Sequence, residues 1–271
     1  MKMKKFMSLL MVLGMLLLTA CGQNSDSATA EENSTEGDSE KTITVITTAG
    51  GYPFNAKNAK SQELEGFMID IINELASRTD TKTEFTTGEW SSLIPSVQSG
   101  KADVIVDGMY ITEERKEVIN FTEPVFSYGE GLIVQEDDTT TKSLEDLAGK
   151  TVGVQIGTSY KDMLEEKASG INFEVKTYQN QADMLKDIQN GRIDAALADS
   201  PTFGYLLKLN PDSKFRIVED YEPALAGLIG IGISKEQTEL LEKLNTAIAE
   251  MKEDGTFKEI YAKWGIDWDF N

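Results

Sequence analysis

Apolar and polar positions alternate along most of the chain in a way that predicts strands and helices in turn. Strands are predicted at 41–47, 66–69, 83–86, 102–107, 129–135, 151–156, 173–178, 193–198 and 225–234. Helices with an apolar face are predicted at 70–77, 93–97, 113–120, 143–147, 160–168, 182–190, 202–209, 236–252 and 257–264. This alternation predicts an α/β fold with a mostly parallel sheet.

The order of elements restarts after the strand at 129–135, which predicts two α/β lobes. The first lobe is expected to be discontinuous, 42–133 plus 229–271, with the second lobe, 134–228, inserted in it. The extended segments 129–135 and 225–234 would form the hinge. Since each lobe turns its strand ends toward the other, we expect a ligand cleft between the lobes.

The start of the chain has the pattern of a bacterial lipoprotein signal. Residues 1–5 are basic, residues 6–18 are apolar but too short to span a bilayer, and Leu18-Thr19-Ala20-Cys21 matches the lipobox. We therefore expect a signal peptide over 1–20, lipidation of Cys21 and anchoring at the extracytoplasmic face of the cell membrane. The alternative is a plain cleavable signal with an incidental cysteine.

Composition narrows the remaining possibilities. Residues 21–41 are polar and acidic, which predicts a flexible tether. The net charge of −20 argues against nucleic acid as a partner. The chain contains no histidine, the usual general base and commonest metal ligand, which lowers the expectation of hydrolase or zinc chemistry. Cys21 is the only cysteine, so no intrachain disulfide can form.

Arg115 does not fit the charge pattern of its predicted helix. A cation in the first turn is disfavoured by about 0.3–1 kcal/mol, and the residues three and four positions later, Val118 and Ile119, are apolar. We expect its guanidinium to face inward, past the end of a strand, where it suits a carboxylate held by two hydrogen bonds. The alternative is a buried ion pair with a remote acidic residue.

Three aromatic residues on loops after strands, Tyr52, Trp90 and Tyr110, are candidates for the walls of a ligand site. The alternative for each is packing within its own lobe.

In the second lobe, Thr158 and Ser159 stand at a helix N-terminus, where free N–H groups attract an anion. The alternative is plain capping of the helix. Asp199 ends a predicted strand just before a helix and suits an ammonium, although an ordinary acidic residue at a helix start is the alternative. Complementary charges with aromatic walls together describe a zwitterionic amino acid.

These residues stand in the order of a known family. The matching motifs are Tyr52-Pro53-Phe54, Gly66-Phe67, Trp90 with Leu93-Ile94-Pro95, Gly108-Met109 to Arg115-Lys116, Phe121-Thr122-Glu123-Pro124, Gly149-Lys150 to Gly157-Thr158, Asp199-Ser200-Pro201 and Gly255-Thr256 to Trp264-Gly265. They cover essentially all of 42–265. The chain resembles the family 3 extracytoplasmic solute-binding proteins of polar amino-acid ABC transporters.

The resemblance implies a two-lobe, periplasmic-binding-protein-like fold of type II with a hinge and an inter-lobe cleft. It implies an amino-acid ligand, a membrane permease as partner, a monomer, and no enzyme activity, cofactor or metal. It assigns the ligand carboxylate to Arg115, with backbone help at Tyr110 and Ser159, and the ammonium to Asp199 and the Gly108 carbonyl. It also implies that Trp90 and the aromatic near Tyr52 form walls and that Gln155 faces the ligand side chain.

Two departures from the family pattern leave other ligands open. Tyr52 directly precedes Pro53 where one residue usually intervenes, and Tyr110 replaces a common Ser or Thr. With Trp90, these tyrosines could surround a bulky or quaternary cation, so a compatible solute or an opine-type ligand is an alternative. A ligand-presenting sensor lipoprotein and a dehydratase-like or lyase-like enzyme on the same fold are further alternatives.

Overall fold

The computed structural model describes residues 41–268 and residue 270. The predicted signal peptide, Cys21 and the tether lie outside the described residues, except Lys41, which begins the first strand. Within the described part, no helix combines the length and the apolar character that a membrane span requires.

The strands are numbered in chain order. They are β1 (Lys41–Thr47), β2 (Gly50–Gly51), β3 (Asn55–Lys57), β4 (Leu64–Glu65), β5 (Thr81–Thr87), β6 (Val104–Ile105), β7 (Asn120–Phe121), β8 (Phe126–Gln135), β9 (Thr151–Gln155), β10 (Glu174–Tyr178), β11 (Ala195–Asp199), β12 (Phe215–Ile217), β13 (Ala226–Ile229) and β14 (Gly232–Ile233).

The helices alternate with these strands. They are α1 (Phe67–Arg78), α2 (Leu93–Gln98), α3 (Glu113–Val118), α4 (Ser159–Ile171), α5 (Gln181–Gln189), α6 (Ser200–Leu209), α7 (Thr238–Asp254) and α8 (Thr256–Lys263), with 3₁₀ helices at Trp90–Ser92 and Leu144–Leu147.

The first sheet has the strand order β5-β1-β6-β14-β7. Strand β1 runs parallel to β5 and β6, whereas β14 runs antiparallel to β6 and β7. The predicted strand at 102–107 is central, as expected, but only Val104–Ile105 pairs as a strand. The residues that follow it are therefore free to form the loop that carries Gly108 and Tyr110. Strands β2, β3 and β4 form a small separate sheet.

The second sheet has the strand order β10-β9-β11-β8-β12, and β13 also pairs with β8. Strand β9 runs parallel to β10 and β11, and β8 runs antiparallel to β11, β12 and β13. Both sheets are thus mixed, so the expectation of a mostly parallel sheet is wrong. The reason is that β14 enters the first sheet antiparallel to its neighbours, and β8 does the same in the second sheet.

Strands β8 and β13 connect the two sheets. The first part of β8 pairs with β13, from Phe126 opposite Ile229 to Gly129 opposite Ala226, and the second part pairs with β11. The single strand predicted at 225–234 is two strands, because the chain leaves β8 at Gly230 and joins the first sheet as β14. The lobe boundaries and the hinge remain predictions.

The strand predicted at 66–69 is wrong, since these residues begin α1. Phe67, Met68 and Ile69 are all buried, so the run has no polar face that would separate a strand from a buried helical turn. Gly66 precedes the helix with φ 144°, and a Cβ there would lie 2.2 Å from the Phe54 carbonyl oxygen. Only glycine fits this close approach.

Gly227 in β13 makes room for the ring of Tyr110. A Cβ at residue 227 would lie 2.5 Å from that ring, and Tyr110 is only 4 % exposed. We expect Gly227→Ala to lower the free energy of unfolding by about 1–3 kcal/mol in urea denaturation, because the ring has no free space. The control is Gly204→Ala in α6, where no atom lies within 4 Å of the added Cβ. It should raise the free energy of unfolding by up to about 1 kcal/mol, and equal losses in both variants would contradict the prediction.

Candidate functional site

Two adjoining cavities lie at strand ends of both large sheets. The wide cavity has a volume of about 290 Å³. The narrow cavity has a volume of about 20 Å³, which is room for about one water molecule. Both are lined by Trp90, Gly108, Gln155, Gln181 and Asp199. The shared lining makes them the two ends of one hollow.

Arg115 lines the narrow cavity from α3. The helix is capped by the Thr112 hydroxyl, which accepts a hydrogen bond from the Arg115 amide at 3.2 Å. Nη1 donates to the Tyr110 carbonyl at 2.8 Å and Nη2 to the Gly157 carbonyl at 3.2 Å. Two of the five guanidinium N–H groups are therefore used, and three remain.

The charge of Arg115 has no anionic partner in the described part of the chain. The ion pairs among those residues do not include it, and burial lowers the pKa of its guanidinium. A structural ion pair, the alternative that the sequence left open, is thus not found there. The free N–H groups of Arg115 can hold an external anion.

Trp90 reaches the same carbonyl as Arg115. Its indole Nε1 donates to the Gly157 oxygen at 2.9 Å, and Arg115 Cζ lies 5.8 Å from the centre of its ring. Trp90 and Arg115, which lie on the side of the first sheet, therefore both donate to the Gly157 carbonyl in the loop after β9. The indole ring also stacks on the Arg115 cation.

Asp199 stands where β11 ends and α6 begins. Its Oδ1 accepts from the hydroxyls of Tyr128 at 2.7 Å and Tyr160 at 2.9 Å, and its Oδ2 accepts from Gln181 Nε2 at 2.8 Å. All three donors are neutral. Burial raises the pKa of the Asp199 carboxyl, against the effect of these hydrogen bonds.

Thr158 and Ser159 also line the narrow cavity. Thr158 is the N-cap of α4, since its hydroxyl accepts from the Lys161 amide at 3.3 Å and donates to the Gln155 carbonyl at 2.7 Å. It thus caps the helix and borders the cavity at the same time. Gln155 is anchored by its Nε2, which donates to the Gln179 carbonyl at 3.1 Å.

Gly108 is held at the cavity by the buried carboxylate before it. Asp107 Oδ1 accepts from the Gly108 amide at 2.8 Å, and Oδ2 accepts from the Thr48 amide and hydroxyl, each at 2.8 Å. A Cβ at residue 108 would lie 3.0 Å from the Tyr128 hydroxyl. The glycine therefore allows that hydroxyl to approach the chain.

The structure does not bring Tyr52 to the cavities. Its hydroxyl donates to Glu65, which raises the pKa of Tyr52 to about 12. Its ring lies 5.3 Å from that of Tyr205 and 6.0 Å from that of Trp264. The loop lines the wide cavity with Gly50 and Gly51 instead. Tyr52 thus packs outside the hollow, but not only within its own predicted lobe, since Tyr205 belongs to the predicted second lobe.

Sequence reasoning missed three residues that bond Asp199, namely Tyr128, Tyr160 and Gln181. Tyr128 lies one residue before the predicted strand at 129–135, and β8 in fact begins at Phe126. Tyr160 directly follows Ser159 in the first turn of α4, so the helix-terminus argument could have included it. Gln181 gave no signal, because its role depends on how α5 packs beside β11.

Comparison with known proteins shows which family the chain is similar to. A family model described as bacterial extracellular solute-binding proteins, family 3, matches residues 43–267. The Bacillus subtilis (strain 168) protein named Probable amino-acid-binding protein YxeM is 32% identical over 97% of this chain and 96% of its own length.

Two further similar proteins carry ligands in their names. The Histidine-binding periplasmic protein of Escherichia coli (strain K12) is 36% identical over 80% of this chain and 84% of its own length. A solved structure described as an ancestral arginine-binding protein bound to arginine has a TM-score of 0.78 at 37% identity, covering 83% of this chain and 98% of its own.

The raised pKa of Asp199 predicts a dependence of stability on pH. Its ionised form disfavours the ligand-free fold at neutral pH, and this penalty disappears as the pH falls below the ordinary carboxyl pKa. We therefore expect Asp199→Asn to raise the melting temperature at pH 7. The difference should shrink toward pH 4.

The matched control is Asp187→Asn. Lys176 holds the pKa of Asp187 well below its usual range, so removing that charge should lower the melting temperature at pH 7. Thermal melts of ligand-free protein from pH 4 to pH 8 measure both variants. A gain at Asp199 that is independent of pH would contradict the prediction.

Proposed function

Because the chain belongs to the bacterial extracellular solute-binding proteins of family 3, we propose that it binds an amino acid outside the cell membrane and delivers it to the permease of an ABC transporter. The single observation that carries this proposal is that Arg115 and Asp199 line the same narrow cavity. An amino acid has its carboxylate and ammonium on one carbon atom, so its site needs opposite charges across a short space.

The narrow cavity has room for about one water molecule. An amino acid can therefore bind there only if it replaces a hydrogen bond that the protein now makes across the cavity. We infer that the ligand carboxylate replaces the Gly157 carbonyl as the acceptor of Arg115 Nη2. The first N–H groups of α4, at Ser159 and Tyr160, lack partners within the helix and favour an anion there. The ligand ammonium then faces Asp199.

The ligand side chain extends into the wide cavity, along Trp90 and Gln155. Glu89 and Asp107 also line this cavity, and their negative charges favour a cationic side chain over an anionic one. The names of two similar proteins, which specify histidine and arginine, agree with this preference. Arginine and histidine are therefore the first ligands to test.

Binding is coupled to closure of the two lobes. Trp90 and Arg115 lie on the side of the first sheet and reach Gly157 in the loop after β9, which is a closed arrangement of the hollow. A ligand favours closure only through contacts that it makes in that state. Strands β8 and β13 would be the hinge, and the permease would receive the ligand from the closed form.

The protein acts as a lipid-anchored monomer on the extracytoplasmic face of the membrane. The basic start, apolar run and lipobox cysteine of the sequence support the anchor. Globomycin treatment, which blocks removal of lipoprotein signals, should cause a larger precursor to accumulate if Cys21 is lipidated.

The alternative of a quaternary ligand in an aromatic cage has less support. Tyr52 lies outside the hollow, and the ring centroids of Tyr110 and Tyr128 are 5.0 Å apart, with Tyr110 and Tyr160 at 5.6 Å. The Tyr110 ring therefore packs against other tyrosines, and of the three aromatics considered for the cage, Trp90 alone lines both cavities.

We propose that the site binds its ligand without converting it. A catalytic acid or base has to reach a proton of the substrate, and two of the carboxylates in the lining, Asp107 and Asp199, already accept several hydrogen bonds each, which favours binding over turnover. Incubation with each bound amino acid, followed by mass spectrometry, should recover the ligand unchanged.

A thermal-shift screen tests the ligand class. An amino acid at 100 times its dissociation constant should raise the melting temperature by roughly 5–10 °C, because binding stabilises the folded protein by about 2.7 kcal/mol. The screen includes arginine, histidine, glutamine, opines and betaines. A shift with a betaine and with no amino acid would overturn the proposal.

Replacement of Arg115 tests the carboxylate site. We expect Arg115→Ala to weaken binding of the best ligand by at least about 30-fold, or roughly 2 kcal/mol, because the carboxylate loses paired hydrogen bonds. Isothermal titration calorimetry measures the affinity. The control is Lys116→Ala, which removes a neighbouring exposed cation paired with Glu113 at 2.8 Å and should leave the affinity unchanged. Equal affinities of wild type and Arg115→Ala would refute the assignment.

A further inference from the structure

Three tyrosine hydroxyl groups from different parts of the chain meet beside Asp199. Tyr128 Oη on β8 lies 2.9 Å from the Gly108 carbonyl oxygen and 2.7 Å from Asp199 Oδ1. Tyr160 Oη on α4 lies 3.0 Å from Tyr110 Oη and 2.9 Å from the same Oδ1. Tyr110 Oη lies 2.9 Å from the Tyr128 carbonyl oxygen. The cluster therefore joins both partners expected for a ligand ammonium, Asp199 and Gly108.

The cluster has more acceptors than protons. Each tyrosine hydroxyl carries one proton, and Tyr110 donates its proton to the Tyr128 carbonyl, which can only accept. The four remaining contacts of Tyr128 and Tyr160 therefore share two protons. Hydrogen bonds to a charged acceptor are about twice as strong as neutral ones, so both protons go to ionised Asp199. The Gly108 carbonyl and the Tyr110 hydroxyl oxygen are then left without a donor from this cluster.

The two donors stay protonated and in place. Burial raises the pKa of both Tyr128 and Tyr160, so neither hydroxyl ionises at neutral pH. Tyr160 is 4 % exposed and Tyr128 is 9 % exposed, and the Tyr110 ring packs against both of them. Burial and packing thus keep both hydroxyls in place as donors to Asp199.

We propose that Tyr128 and Tyr160 are positioning residues of the ligand-binding site, which hold Asp199 in its ionised form through Oδ1 and leave the Gly108 carbonyl open to the ligand ammonium. This inference rests on the proposed function, because it places an amine beside Asp199. Without these hydroxyls, a carboxylate in this enclosed place would take up a proton at a higher pH and lose its attraction for the amine.

Other described groups around Asp199 are left in place by the test variants. Gln181 on α5 donates to Oδ2 at 2.8 Å. The negative charge of Asp107, in the loop after β6, raises the pKa of Asp199. Arg115 on α3 and the Tyr110 hydroxyl line the narrow cavity with it. A change in the titration of Asp199 on removal of a single hydroxyl therefore reports that hydroxyl.

The first measurement needs no ligand. The variants are Tyr128→Phe and Tyr160→Phe, each of which removes one oxygen atom and keeps the ring. Carboxyl carbon NMR of ¹³C-aspartate-labelled protein, with the signal assigned by Asp199→Asn, should find the pKa of Asp199 raised by about one pH unit in each variant. The matched control is Tyr178→Phe, whose hydroxyl donates to a different carboxylate, Asp187, at 2.8 Å. It should leave the Asp199 titration unchanged.

The second measurement uses the best amino-acid ligand of the wild-type protein. Calorimetry from pH 4 to pH 8 should find that the affinity falls on the acid side as Asp199 takes up a proton. The midpoint of this fall should move to higher pH in both phenylalanine variants, by the same shift as the pKa. An Asp199 pKa that stays in place in both variants, or an affinity that falls equally at every pH, would overturn the inference.

The two proposals fail in different ways. If wild-type protein binds no amino acid, the proposed function fails at once, whatever the NMR titration gives. If the wild type binds an amino acid and the acid midpoint does not move in the phenylalanine variants, only the positioning role fails.

Discussion

A carboxylate that is enclosed in protein and forms no ion pair with the described residues has to be stabilised by neutral donors, and this constraint organises the site around Asp199. Its donors come from β8, α4 and α5, so three elements from distant parts of the chain have to converge on one side chain. Two glycines make room for the residues of this cluster. Gly108 admits the Tyr128 hydroxyl, and Gly227 admits the ring of Tyr110.

Arg115, which lines the same narrow cavity as Asp199, has the complementary problem. Its guanidinium is held by the carbonyls of Tyr110 and Gly157 and by the Trp90 ring, so its charge is oriented but not neutralised by the described residues. A cation and an anion are thus kept apart, each bonded to neutral partners. Sites that keep charges in this way give up stability of the free protein and recover it when a ligand with both charges binds.

The periodicity of apolar residues predicted most helices and strands. It failed where a segment has no alternation of apolar and polar positions. The run Phe67-Met68-Ile69 is buried on every side, so a helical turn and a strand look alike in the sequence. The segment 225–234 is uniformly apolar, yet its two halves belong to different sheets. Periodicity also could not predict whether neighbouring strands run parallel or antiparallel. That depends on which strands cross between the sheets and not on their composition.

By itself, the sequence determined the alternation of strands and helices, the inward position of Arg115 and the place of Asp199 at a strand end, because these depend on neighbours a few residues away. Only the tertiary structure decided that Tyr52 packs outside the hollow and that Tyr128, Tyr160 and Gln181 surround Asp199. Those contacts join residues 18 to 71 positions apart. Such pairs are set by how the helices and strands pack together, and the local sequence pattern does not indicate that packing.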